Sequence, residues 1–122
     1  MRDLAFHPAA LAEFKAEVAY YEALEPGLGG AFASEVFRII DLARLFPRMG
    51  TPEEGEVRSL ITKRFPFVIY YELIGESLWI WAVMHAARAP GSWKKRQSLR
   101  LDIEQGDWVW SSVPVAAETP AK

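Results

Sequence analysis

Two apolar runs rich in β-branched and aromatic residues, Phe67–Ile74 and Leu78–Met84, are separated only by Gly75-Glu76-Ser77. A connection that short joins antiparallel neighbours, so the runs form a β-hairpin and commit the second half of the chain to a sheet. Just before them, Glu56 to Lys63 alternates, with Val57, Ser59 and Ile61 on one side and Arg58, Leu60 and Thr62 on the other. That period of two adds a third strand. Because the hairpin runs are apolar at nearly every position, helices must cover one face of the sheet and something else must partly cover the other.

The first half supplies the helices. RDLAF at residues 2–6 reads as an opening strand, and Pro8 suits the first turn of a helix. From Pro8 to about Glu25, Leu11, Phe14, Val18 and Tyr21 line one helical face, which leaves Glu13, Lys15, Glu17 and Glu22 for water. Pro26-Gly27 and Gly29-Gly30 break this pattern. A second helix carries Phe32, Val36, Ile39, Ala43 and Phe46 at similar spacing and stops at Pro47. Residues 48–56, RMGTPEEGE, read as an exposed loop. After the last strand Pro90-Gly91 ends the sheet, and Ser92 is placed to cap a short helix, WKKRQSLR.

The expected fold is therefore α+β, in the order β-α-α-β-β-β. A helical hairpin packs on one face of an antiparallel sheet, and a short C-terminal helix and an extension follow. Residues 1–100 form the domain. Residues 101–122 form the extension, in which Trp108 and Trp110 either add a strand to the sheet edge or occupy this chain's own partner-binding groove when the partner is absent, and VAAETPAK reads as a frayed end.

A chain of 122 residues fits one domain with a real core. It contains no cysteine, which excludes disulfides, thiolate metal sites and a cysteine nucleophile. The N-terminus lacks a signal-peptide apolar stretch, and no apolar run approaches the roughly 20 residues of a membrane helix. The expected location is the cytoplasm, with no membrane contact. The net charge of −2 conceals a division. Residues 1–57 hold five Lys/Arg against ten Asp/Glu, whereas residues 58–100 hold eight against two. A cationic second half points to nucleic acid or an acidic protein segment, unless it is simply a solvated surface.

Several local patterns accompany this order. Near the start are Phe6 to Ala10, the pair Tyr20-Tyr21, and Pro26-Gly27-Leu28-Gly29 followed by Phe32. Later come Val57-Arg58, Arg64-Phe65-Pro66-Phe67 with Ile69-Tyr70-Tyr71, Ala82-Val83-Met84-His85, Arg88-x-Pro90 and Trp93-x-x-Arg96. In this order and spacing, over about residues 3–96, the chain resembles the RelE/ParE toxin superfamily, particularly its plasmid-stabilisation members. The resemblance implies a growth-inhibiting bacterial toxin of a type II toxin–antitoxin system, held silent by a cognate antitoxin. It implies no cofactor and no metal, and it allows a homodimer. RelE-like members cut messenger RNA on the ribosome. ParE-like members poison DNA gyrase.

Ribose 2′-hydroxyl attack needs a base, cations at the phosphorane-like transition state and an acid for the leaving oxygen. His85 is the residue with a suitable unperturbed pKa, with Arg58 and Arg88 as phosphate clamps; these three are the catalytic set if the protein is a nuclease. His7, beside Pro8, reads as structural. His85 at a strand end can equally bond backbone carbonyls, and Arg58 can pair with a carboxylate such as Glu72. Arg64, Trp93, Lys94, Lys95, Arg96 and Tyr20 are expected at a target or antitoxin surface, although Trp93 can also pack back onto the sheet. The acidic TPEEGE loop stands where nuclease relatives are lysine-rich, and it raises the cost of binding RNA. The leading expectation is thus a ParE-like toxin acting on gyrase. The alternatives are a RelE-type ribosome-dependent nuclease and a toxin-like fold without activity.

Overall fold

The computed structural model describes residues 2–88, 91, 93–97 and 109–110, with the backbone alone for Lys95, Gln97, Val109 and Trp110. The expected Ser92 cap, Pro90, Trp108 and the frayed end lie outside the described residues.

The chain opens with strand β1 (Asp3–Phe6) and continues into helices α1 (Pro8–Leu24) and α2 (Leu28–Leu45). A 3-10 turn (Pro47–Met49) leads to strands β2 (Thr51–Pro52), β3 (Arg58–Ile61), β4 (Phe67–Ile74) and β5 (Ser77–His85). A short helix α3 (Lys94–Gln97) and strand β6 (Val109–Trp110) complete it. The sheet order is β2-β3-β4-β5-β1-β6. The expected loop at residues 48–56 thus contains a two-residue strand, β2, whose Thr51 and Pro52 pair with Ser59 and Arg58.

The sheet is mixed, which corrects the expectation of a wholly antiparallel one. β2 to β5 form an antiparallel meander, but β1 runs parallel to β5, with Asp3 opposite Ser77 and Phe6 opposite Ile80. The helices explain this. α2 returns the chain to the end of the sheet where it entered, so that the Arg2 guanidinium donates to the Arg44 carbonyl at 2.7 Å. β3 starts from that entry end, and it and β5 therefore run in the direction of β1.

His7 caps α1 through Nδ1, which accepts from the Ala9 amide at 3.0 Å, and Pro8 fills the first turn as its fixed φ favours. At the α1–α2 connection the Glu22 carboxylate accepts from the Gly27 and Gly29 amides at 2.9 and 3.0 Å. A Cβ on Gly29 would lie 2.5 Å from the Val18 carbonyl oxygen, so only glycine lets the helices close here. The stripe Leu11, Phe14, Val18 and Tyr21 packs on the core as its spacing predicts. So do Phe32, Val36, Ile39 and Ala43 of α2, but Phe46 is 60% exposed. The helix has ended by then, and Phe46, at φ −130°, no longer follows helical spacing.

Two cores result. On the helix side, Phe6, Phe14, Phe32, Phe37, Phe65 and Phe67 pack with the aliphatic side chains of both helices and the sheet. On the other side lie Ala5, Val57, Tyr70, Trp79, Trp81, Ala82, Met84 and Trp93. A bulge divides β5 between them. Tyr70 opposes Ala82 while Tyr71 opposes Ile80, which leaves Trp81 as the additional residue. Trp81 and Ala82 consequently share a face despite being consecutive, and Val83 returns to the helix side.

Candidate functional site

Beyond Ile80 the strand β5 rises past the end of β1, whose pairing stops at Phe6. α1 runs alongside this upper end. Between its C-terminal half and the end of β5 lies a groove of about 460 Å³, lined by Glu17, Tyr20, Tyr21, Leu24, His85 and Arg88. The fold thus brings together three of the residues expected from sequence: His85, Arg88 and Tyr20.

His85 is exposed and leans edge-on to Phe67, with ring centroids 5.3 Å apart. Its Nδ1 accepts from the Ala87 amide at 3.0 Å, so Nε2 is the nitrogen left to meet a ligand. Its carbonyl accepts from the Arg88 amide at 2.9 Å, which holds the turn that carries Arg88. Tyr20 is 58% exposed and Leu24 60% exposed, so the helix rim of the groove is apolar. Tyr21 lies deeper, with its ring 4.9 Å from Phe65 and 5.1 Å from Phe32. Burial, then the nearby Glu17 and Tyr20, raise its hydroxyl above the usual pKa, which keeps it a hydrogen-bond donor. Arg64 is exposed at the same end, in the β3–β4 connection, with its guanidinium 5.2 Å from the Phe65 ring centre. The adjoining Lys63 amide donates to Glu35 of α2 at 2.6 Å. Arg38 chelates this same carboxylate with two 3.0 Å bonds, and those bonds, followed by the Lys63 amide, hold the Glu35 pKa down to about 2.

Arg58 lies elsewhere. It pairs with Tyr71 across β3–β4, whereas His85 pairs with Phe67 across β4–β5. Four residues along β4 and two strand spacings separate them, about 13 Å and about 10 Å respectively. The Arg58 Nη1 donates to the carbonyls of Arg48 and Gly50 at 3.2 and 2.9 Å. The suggested partner, Glu72, is on the opposite face, where it accepts from Trp81 Nε1 at 3.1 Å.

The remaining expected residues follow β5. Trp93 is 1% exposed and stacks on Tyr70 at 5.3 Å. Lys94 reaches back to Glu54, 2.8 Å away, in the acidic loop. Arg96 forks onto Glu13, with bonds of 3.0 and 2.5 Å, and also donates to the Trp81 carbonyl at 2.9 Å. Glu13 accepts in turn from the Val83 amide at 3.3 Å. The pair therefore takes up backbone groups on the part of β5 that β1 does not reach. Glu13 and Glu22, expected to face water, are both structural. The side chain of Lys95 lies outside the described residues.

Sequence reading missed Glu17 and Leu24. A signal existed, because Glu17, Tyr20, Tyr21 and Leu24 fall at i, i+3, i+4 and i+7 and so form a stripe beside the core stripe. Among the described residues no group of three or more His, Asp or Glu is arranged to hold a metal ion, and no helix is long and apolar enough to cross a membrane.

The family described as the ParE toxin of type II toxin-antitoxin system, parDE, matches residues 4–90. The chain belongs to the ParE toxin family. The toxin's matched region runs from β1 through the end of β5 and includes His85 and Arg88; Trp93 to Gln97 and β6 follow it. Membership makes this the toxin component of a type II system, with a cognate antitoxin as partner. No curated protein and no solved structure matches the toxin.

Proposed function

We propose that the toxin acts in the cytoplasm by binding a protein, with DNA gyrase as its target and the groove between α1 and β5 as its contact surface. The observation that carries this reading is the separation of the cations. Arg58 stands two strands across and four residues along from His85, and Arg96 is committed to Glu13 and a backbone carbonyl. Among the described residues Arg88 is the guanidinium that lines the groove beside His85, with Arg64 exposed at the same end and the Glu17 carboxylate in the same lining. A phosphorane-like transition state needs concentrated positive charge, and a facing carboxylate works against it. A rim of exposed Tyr20 and Leu24 beside Arg88 has instead the aromatic, apolar and arginine character of a protein contact.

The alternative, a RelE-type nuclease, draws support from the imidazole of His85 beside Arg88. Induced expression without the antitoxin separates the two. Messages should stay intact while DNA is relaxed or broken and growth stops. Specific message cleavage with undamaged DNA would overturn the gyrase reading.

A further inference from the structure

Where α2 ends, the 3-10 turn Pro47–Met49 folds down onto β3 and β4, and Pro47, Arg48, Glu56, Arg58, Tyr71 and Leu73 line a cavity of about 130 Å³. Hydrogen bonds fix its back wall. The hydroxyl of Tyr71, a residue 1% exposed, accepts from the Gly50 amide at 3.0 Å and donates to the Pro47 carbonyl at 2.8 Å. A Cβ on Gly50 would lie 2.5 Å from that hydroxyl, so glycine is required for the loop to rest there.

The same loop fixes Arg58. Its Nη1 donates to the Arg48 and Gly50 carbonyls at 3.2 and 2.9 Å, which commits both protons of that nitrogen. The N–H groups of Nε and Nη2 meet no acceptor among the described residues. Neither Arg58 nor Arg48 forms an ion pair among those residues, even with Glu56 in the same lining. Nε and Nη2 lie along one edge of the planar guanidinium, spaced to bond both oxygens of a carboxylate. Pro47 and Leu73, the latter 38% exposed, offer apolar wall to the stem that carries such a group.

We propose that this cavity receives an aspartate or glutamate side chain of a polypeptide partner, with Arg58 bonding its two oxygens and Arg48 adding charge from the rim. A nucleic-acid strand fits less well. Its phosphates recur roughly every 3.4 Å of rise, and the neighbours of any phosphate held by Arg58 would meet the exposed Glu53, Glu54 and Glu56. A single side-chain acid brings no second anion. The site is separate from the groove at His85 and does not depend on gyrase being the target.

The arginine Nε–Hε signals of the full-length protein in solution NMR read the contact directly. N-acetyl-glutamate amide, which carries one side-chain carboxylate, should shift the Arg58 signal saturably, with a dissociation constant on the order of millimolar. N-acetyl-glutamine amide and chloride at matched ionic strength should not. Followed on the Gly50 and Leu73 amides, binding should weaken about tenfold in Arg58→Lys, which keeps the charge and loses the fork. It should weaken several-fold in Arg48→Gln, whose exposed side chain makes no hydrogen bond within the described residues, so that the fold is retained. Three results would overturn the proposal: no saturable shift, a shift reproduced by glutamine or chloride, or affinity unchanged in both variants. Saturation of the Arg58 signal by a short single-stranded RNA at lower concentration than by the capped glutamate would overturn it in favour of phosphate.

Discussion

The two faces of the sheet are sealed by different means. The helix face is covered by 17 residues of α1 and 18 of α2, whose apolar stripes are local features of the sequence. Among the described residues, the opposite face has α3, four residues long, and is held by individual side chains. Trp93 lies on Tyr70, Lys94 reaches Glu54, and Arg96 reaches around the sheet to Glu13. The first cover is a continuous surface whose loss unfolds the domain. The second is a set of tethers, each of which can fail while the domain persists.

Mutations should separate the two in order of effect. Phe32→Ala removes a fully buried ring that packs within 5.3 Å of Tyr21, Phe65 and Phe67, and should cost about 3–5 kcal/mol in denaturant unfolding. Arg96→Ala removes the guanidinium that bonds Glu13 and the Trp81 carbonyl, and should cost about 2 kcal/mol. Its signature is local, since amide exchange should accelerate around Trp81 to Val83 before the helices respond. An equal and global loss in both variants would erase the distinction between the faces.

Acid probes the helix side more gently. The folded Glu35 pKa is depressed to about 2 from an ordinary value near 4.5. Its contribution is therefore complete above about pH 4.5 and is lost as the pH falls through 2. It should amount to less than about 1 kcal/mol, because solvent screens the pair with Arg38. Glu35→Gln should flatten that part of the pH–stability curve. The smallest effect belongs to Lys94→Ala on the tethered face. The Lys94–Glu54 pair is exposed on both sides, and the unfolding midpoint should not move measurably.

The same contrast explains what the sequence disclosed. The β4–β5 hairpin, the Pro8 start of α1 and both helical stripes were readable, because each depends on periodicity or turn chemistry inside one segment. The bulge at Trp81 was hidden, since a run of apolar residues carries no sign of where its facing changes. The parallel placement of β1 depends on α2 returning the chain to its entry end, which no local pattern records. The candidate site was legible as residue types but not as a constellation. His85, Arg88 and Tyr20 converge, while Arg58, two strands across and four residues along, does not. Arg96 read as a surface cation because Glu13, its partner 83 positions away, seemed one of several helix carboxylates facing water.

The central claim, a toxin that inhibits by docking and not by cleavage, meets its most direct test in DNA supercoiling by purified gyrase. The toxin and its His85→Ala variant should inhibit to a similar extent, and Tyr20→Ser combined with Leu24→Ser should weaken inhibition by about tenfold or more, as loss of contact-surface anchors does. Unimpaired supercoiling in the presence of toxin, together with message cleavage on ribosomes that disappears in His85→Ala, would contradict the account.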